Sequence, residues 1–371
     1  MNYLFVAILF LFTIGEAFTQ IGGESSYNFL NIPVTARSGA LGGSVIAIKD
    51  HDPSFTIDNP SLLSKEMNTD LTLTYLNYFA DVNLGYFSYV HDFKKYGTFS
   101  GGLKYINYGK FNETDEGGNE LGSFSAAEYA FILGWGKQID TSFSVGANLK
   151  PIYSKYYENT AFALAFDVSA TYHNAKKNLT AALVIKNIGR QLNTFVDERD
   201  AESMPFQIQA GVSKKLAHTP IRLNVDFIHL NNWSLAYNDS TQTTNEDPTL
   251  TDEEKAEKNK TGIFTEMFRH IVVGTEFMLS PNFMIRVGYH VKRRSELAFV
   301  NKGGMVGFSW GLGFRINKFH ISYGGASYHL AGLSNHFTVS TTLGDYYKKD
   351  APQIPKEKKQ KNRKKAPKTA N

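Results

Sequence analysis

Chemistry needs nucleophiles, proton carriers or metal ligands held close together, and this chain offers few such sets. Its ten histidines are scattered. No His-x-x-x-His pair lies on one helix face and no carboxylates cluster with the histidines, so no metal site and no cofactor site are expected. A Gly-x-Ser-x-Gly elbow is missing, and a hydrolase built from Ser and His would need residues that meet only in three dimensions. Cysteine is absent altogether, which removes thiolates and disulfides. Gly39-Ala40-Leu41-Gly42-Gly43-Ser44 has the glycine density of a phosphate loop but lacks its lysine, and reads more simply as close-packed backbone. Asp52 and Asp58 could work as paired carboxylates, yet Asp58-Asn59-Pro60 is a turn signal. Pro151 removes a ladder donor from a strand-like stretch. It marks either a tolerated bulge near the strand end or a lateral gap in a wall through which an apolar solute could leave. The expectation is a protein that is not an enzyme.

The elements around these residues are strands. Val306, Phe308, Trp310, Leu312, Phe314 and Ile316 alternate with Gly307, Ser309, Gly311, Gly313 and Arg315. Phe162, Leu164, Phe166, Val168 and Tyr172 alternate with small or polar residues in the same way. A period of two puts one set on each face of a sheet. Fourteen such segments follow Asp70: 70–80, 82–92, 97–108, 123–137, 142–156, 160–173, 179–188, 205–216, 221–230, 269–279, 283–293, 304–316, 319–328 and 335–346. Most reach the roughly ten residues that a tilted strand needs to cross a bilayer, where globular strands average about five or six. Tight turns (93–96, 138–141, 174–178, 217–220, 280–282, 317–318) alternate with mostly longer connections (109–122, 189–204, 231–268, 294–303). That is the asymmetry of a transmembrane barrel with its short turns in the periplasm. Closure is a physical requirement, because an unpaired N–H or C=O inside lipid costs several kcal/mol. The mean hydropathy of −0.29 excludes a helical membrane protein but suits a wall of which only half faces lipid. The expected fold is an all-β, 14-stranded antiparallel transmembrane β-barrel over 70–347, in the outer membrane of a Gram-negative-type bacterium.

Three other segments complete the chain. Residues 1–19 read as a signal peptide, with an apolar run from Tyr3 to Ile14 and small residues Ala17 and Thr19 before a cut at Gln20. Residues 20–69 carry glycine clusters and too few long strands to be wall, and are expected as an N-terminal plug. Residues 348–371 hold ten lysines and arginines against two carboxylates, so the basic excess of the whole chain belongs to this tail. It reads as a disordered periplasmic extension, or alternatively as a contact for anionic headgroups, peptidoglycan or an acidic partner. Nucleic acid is not an expected partner. The longest connection, 231–268, begins with Trp233 and carries a capping-box pattern at Thr251 and Glu254 that would start a helix from Ala256 to Phe268. It is either a plain solvated loop or a partner-docking lid, in which case Trp233, Met267 and Phe268 are the candidate contacts.

Several motifs carry a family resemblance. Gly22 through Pro33, followed by Ala36-Arg37 and Ala40-Leu41-Gly42-Gly43, resembles the opening of the PorQ-type outer-membrane components of the type IX secretion system, a branch of the FadL-like barrels related to PorV. Tyr108-Gly109-Lys110-Phe111, Gly122 through Ala126, Val145 through Lys150, Lys186 through Gly189, Ile321 through Gly324, Ser327 through Gly332 and Ser334 through Phe337 continue it. The resemblance reaches to about Leu343 and leaves out the basic tail. It implies a FadL-like barrel that anchors a PorZ-like surface protein, with PorU and PorV in the same attachment complex, next to outer-membrane lipid and lipopolysaccharide. Passage of hydrophobic small molecules through a FadL-like channel is the alternative use of the same fold.

Overall fold

The structure, a computed structural model, describes residues 25–195, 201–233, 235, 263–297, 305–329 and 332–347. The expected signal peptide, basic tail, capping box and start of the helix at Ala256 lie outside these residues. Among them, the chain forms fourteen antiparallel strands that close into one barrel. In chain order these are β1 (Asp70–Phe79), β2 (Val82–Asp92), β3 (Thr98–Thr114), β4 (Glu120–Gln138), β5 (Phe143–Tyr156), β6 (Asn159–Asn174) and β7 (Leu179–Asn193). There follow β8 (Gln207–Lys215), β9 (Ile221–Phe227), β10 (Ile271–Ser280), β11 (Phe283–His290), β12 (Phe308–Ile316), β13 (Phe319–His329) and β14 (Gly332–Thr342). Each strand pairs with its neighbour in sequence, and β1 closes on β14 from Asp70↔Thr342 to Asn77↔Asn335. No helix among the described residues is long and apolar enough to cross a membrane.

The alternation read from the sequence becomes an inside and an outside. On β6, Ala161, Ala163, Ala165, Asp167, Ser169 and Thr171 are buried, while Phe162, Phe166 and Val168 between them are exposed. Leu73, Phe87, Phe131, Leu133, Leu183, Val212, Leu223, Val273, Phe314, Ile321, Phe337 and Val339 add exposed apolar side chains all round the wall. A continuous apolar exterior over a polar, small-residue interior is the reverse of a soluble protein and the pattern of a barrel in lipid.

Residues 25–69 fill the inside. A five-residue helix α1 (Ala36–Ala40), capped by the Thr35 side chain accepting from Ser38 N, leans on β11–β14. A 3-10 turn at Pro60–Leu62, capped by Asn59, leans on β4, β5 and β6. These strands lie on different sides of a closed ring, so a segment touching all of them lies within it. The wall makes room with glycine. A Cβ at Gly324 would stand 2.5 Å from Ala36 O, and one at Gly288 would overlap the backbone of Leu41 and Gly42. Glycine in a strand here marks close backbone approach.

Two expectations differ in detail. Residues 109–122, read as a loop, are mostly ribbon: β3 and β4 stay paired from Lys110↔Ser125 to Thr114↔Glu120, with a turn at 115–119. The ladder from β3 to β2 ends at Asn107↔Asn83 and that from β4 to β5 ends at Ala126↔Tyr156, so the ribbon stands proud of both neighbours. The region 294–303 begins as helix, α3 (Val291–Leu297), packed beside helix α2 (Ile263–Arg269).

Candidate functional site

The lumen holds two polar knots that fix the inner segment to the wall. In the first, Arg37 of α1 uses all its donors. Its Nε donates to Glu276 Oε1 and its Nη2 to Glu276 Oε2, each at 2.8 Å. Its Nη atoms also reach Asp50 at 3.0 and 2.6 Å and Asp52 at 2.7 Å. Glu276 on β10 in turn accepts from Arg222 Nη1 on β9 at 2.7 Å and from Arg286 Nε on β11 at 2.9 Å. Three guanidiniums thus meet three carboxylates and the charges cancel, which is what a buried cluster requires. Burial alone would push Asp50 up, but Arg37 and then Arg222 hold its carboxyl well below the usual carboxylate range. Asp52 is held down in the same sense: burial opposes it, and Arg37 prevails.

The second knot lies against β5, β6 and β7. Lys186 on β7 pairs with Asp58 at 2.7 Å, and Lys150 on β5 pairs with Asp167 on β6 at 2.6 Å. Asn59 Nδ2 donates to Ile46 O at 2.6 Å and to Thr171 Oγ1 at 3.0 Å. Asp52 and Asp58 therefore do not pair as carboxylates; each serves a different cation. The Gly39–Ser44 stretch is packed backbone, with the His336 ring so close under Gly39 that a Cβ would meet it at 2.7 Å.

Above these knots, toward the long connections, the lumen carries an apolar cluster beside the buried Glu128, which accepts from Ser154 Oγ at 2.7 Å. Tyr27, Phe29 and Leu30 of the inner segment pack on Leu76, Leu84, Ile106, Ala130, Ile152 and Met204. Lys104 reaches into this region and donates to Leu30 O at 3.1 Å and Ile32 O at 2.7 Å. At the short-turn end, a cleft of about 70 Å³ opens between Arg37, Arg222, Arg286, Met278, Met284 and His320. It is smaller than the roughly 150 Å³ cavity that holds a benzene ring in other proteins.

Pro151 stays in register. It pairs with Leu164 on β6, and on the β4 side the pairs flanking it, Ala130↔Ile152 and Leu133↔Leu149, belong to one unshifted ladder. Its missing donor drops two ladder positions without a bulge. The bulge nearby sits across β6 instead, where Lys186 and Asn187 on β7 face Asp167 alone between Val168↔Ile185 and Phe166↔Ile188. Asn187 has φ 58°, and its N–H donates to Asp167 Oδ1 at 2.8 Å. Among the described residues the β7–β8 ladder ends at Lys186↔Gln207, where β8 begins, while β7 runs on to Asn193. The sequence signal was an asparagine, a residue that tolerates positive φ, in mid-strand.

At the long-connection rim, Trp233 is 58% exposed and stacks on His270 with ring centroids 5.5 Å apart. Helix α2 turns Glu266 inward, where its carboxylate accepts from Leu235 N at 3.0 Å. The same helix leaves Phe264, Met267 and Phe268 at 75%, 39% and 52% exposure. The three candidate contacts thus lie on one corner of the rim, together with Phe264. The helix thus presents Phe264, Met267 and Phe268 outward as an exposed apolar patch.

No family model matches the chain, and no curated protein matches it in sequence. Its shape has counterparts. The CymD monoaromatic hydrocarbon channel superposes with a TM-score of 0.50 at 12% identity, covering 84% of this chain and 98% of that one. The toluene transporter TbuX of Ralstonia pickettii gives 0.47 at 10% identity over 84% and 98%. A FadL homologue from Pseudomonas aeruginosa gives 0.44 at 10% identity over 83% and 98%. At such identities the likeness is one of fold: a FadL-like 14-stranded barrel.

Proposed function

We propose that this chain is a plugged outer-membrane barrel that presents its long-connection rim to a partner at the cell surface, the anchoring role implied by the resemblance to PorQ-type secretion components. The observation that carries this reading is the corner formed by Trp233, Phe264, Met267 and Phe268, apolar and exposed, beside an inner segment tied to the wall by two ionic knots. A partner that buries these side chains gains roughly 25 cal/mol per Å² of apolar surface, and aromatic anchors dominate such contacts. By this reading the partner is a PorZ-like protein in an attachment complex with PorU and PorV, the apolar wall sits in outer-membrane lipid, and lipopolysaccharide surrounds the rim. The experiment is a mild-detergent pull-down from outer membranes with Trp233→Ala/Phe264→Ala/Phe268→Ala. Loss of a large surface protein while the barrel still inserts is the expected result; full retention overturns it.

A second reading has its own support, and the comparisons favour it at the level of fold. The apolar lumen cluster around Tyr27, Phe29 and Met204 is unlike the wet interior of a porin, and the neighbour CymD is described as a hydrocarbon channel. Passage of hydrophobic small molecules past the inner segment would use that cluster. Uptake of a labelled monoaromatic compound by cells carrying wild type or Phe29→Asp tests it: an uptake defect with partner capture intact would replace the first reading by this one.

A further inference from the structure

His270 lies between the barrel and the apolar corner, in the residue joining α2 to β10, and is buried. Its Nδ1 is 2.7 Å from Ile228 O and its Nε2 is 3.1 Å from Trp233 O. Both partners are backbone carbonyls, which only accept. A neutral imidazole carries one N–H and can satisfy one of them, so only the imidazolium donates to both. His336 shows the contrast within the same chain: its Nδ1 donates to Val34 O at 3.0 Å and its Nε2 accepts from the Tyr328 hydroxyl at 3.0 Å, a pattern that one proton satisfies.

We propose that His270 is a proton-operated clasp, charged when the Trp233 turn is docked and releasing that turn when it deprotonates. His229, next to Ile228, is pushed down to about 3 by burial, then by Lys292 and His270, and is neutral. Its Nε2 is then free to accept from Lys292 Nζ at 3.4 Å. Among the described residues, the other charged and titratable groups of this corner include Glu266 and Arg269 on α2, paired at 3.2 Å, Lys292, Arg293 and Arg294 on α3, and His290 at the end of β11. Glu266, paired with Arg269, holds the same turn through Leu235 N. The Trp233 ring stacked on the imidazolium adds a cation–π contact that a neutral ring would not make. Deprotonation leaves one carbonyl facing an N lone pair. The longer bond, to Trp233, yields first, and the exposed apolar corner loses its fixed shape. Its biological use rests on the anchoring reading above; the clasp itself does not.

The test therefore uses no partner. Full-length protein in detergent micelles, labelled with 15N-histidine and compared with His270→Gln to assign the signal, reports whether both ring nitrogens carry protons. Both nitrogens protonated at the acid end of a pH series over which the barrel stays folded, and a single proton at its alkaline end, is the expected result. In parallel, the emission of Trp233, taken as the difference between wild type and Trp233→Phe, should change in one step with the same midpoint. His270→Arg, which keeps two donors and its charge, should abolish the step and stay in the low-pH state. A ring with the same number of protons at both ends of the series, or a Trp233 step that survives in His270→Gln, overturns the proposal. Partner capture is scored on separate samples, so a working clasp without a partner would sink the anchoring reading alone.

Discussion

Arg37 and Glu276 meet as a bidentate pair, both bonds 2.8 Å, across 239 positions of sequence. One belongs to the segment inside the barrel and the other to its wall, so the pair converts a loose filling into a fixed one. Glu276 accepts from three arginines at once. Its removal leaves three guanidiniums with only Asp50 and Asp52.

Glu276→Gln is expected to destabilise the inner segment by about 3–5 kcal/mol, the cost of stranding buried charge, while the barrel still closes. The chain has no cysteine, so a single Ser54→Cys reporter in the inner segment gives a clean measure. Its labelling by a water-soluble maleimide should be slow in the wild-type background and fast with Glu276→Gln. Equal rates would show that the knot does not hold the segment.

The pH dependence of the knot has a definite sign. The folded-state pKa of Asp50 is depressed, so its stabilisation is present above the unfolded value of about 3.9 and is lost as pH falls toward and through the lower folded value. Because the thiolate is the reacting species, the labelling rate is divided by that of a fully exposed cysteine at the same pH; this ratio should be constant from about pH 5 to 8 and rise only in stronger acid. A rise already near pH 6 would assign the latch to another group.

Gly288→Val places a side chain where the backbone of Leu41 and Gly42 passes. Overpacking of this kind costs about 1–3 kcal/mol, and here it falls on the contact between wall and inner segment. The expected outcome is protease sensitivity at residues 25–69 in a barrel that still shows heat-modifiable migration on a gel. Protection equal to wild type would mean that the inner segment can shift without cost.

Phe166→Lys tests the lipid-facing band. Its outward ring should be replaceable by lysine only at about 2–4 kcal/mol if it lies near the bilayer midplane. Ser169→Ala on the opposite face of β6 should change folding into lipid far less. A soluble, detergent-free barrel carrying Phe166→Lys would remove the membrane assignment.

Much of this architecture was legible in the sequence, because alternation is local. Phe162 through Thr171 name their own faces, and every strand span found by periodicity has a strand in the structure. Where polar and glycine residues accumulate, periodicity fails. Lys110 to Thr114 reads as loop and is ribbon, because its stability comes from cross-strand partners such as Phe124 opposite Phe111. Pairings between distant charges were also hidden. Asp52 and Asp58 look alike in sequence, and only the fold gives one to Arg37 and the other to Lys186. Inward glycines such as Gly288 and Gly324 were a usable signal for close packing, but they do not say what packs there.

The seam between β1 and β14 sets an order of assembly. Asp70 and Thr342, bonded through the threonine hydroxyl, are 272 positions apart, so the ring is an open sheet until its last strand arrives. The segment that ends up enclosed is synthesised before any of the wall. It need never be threaded into a finished cylinder: the sheet can curl around it, using Arg37 and Asp58 as early footholds, and the final hairpin then shuts the door behind it.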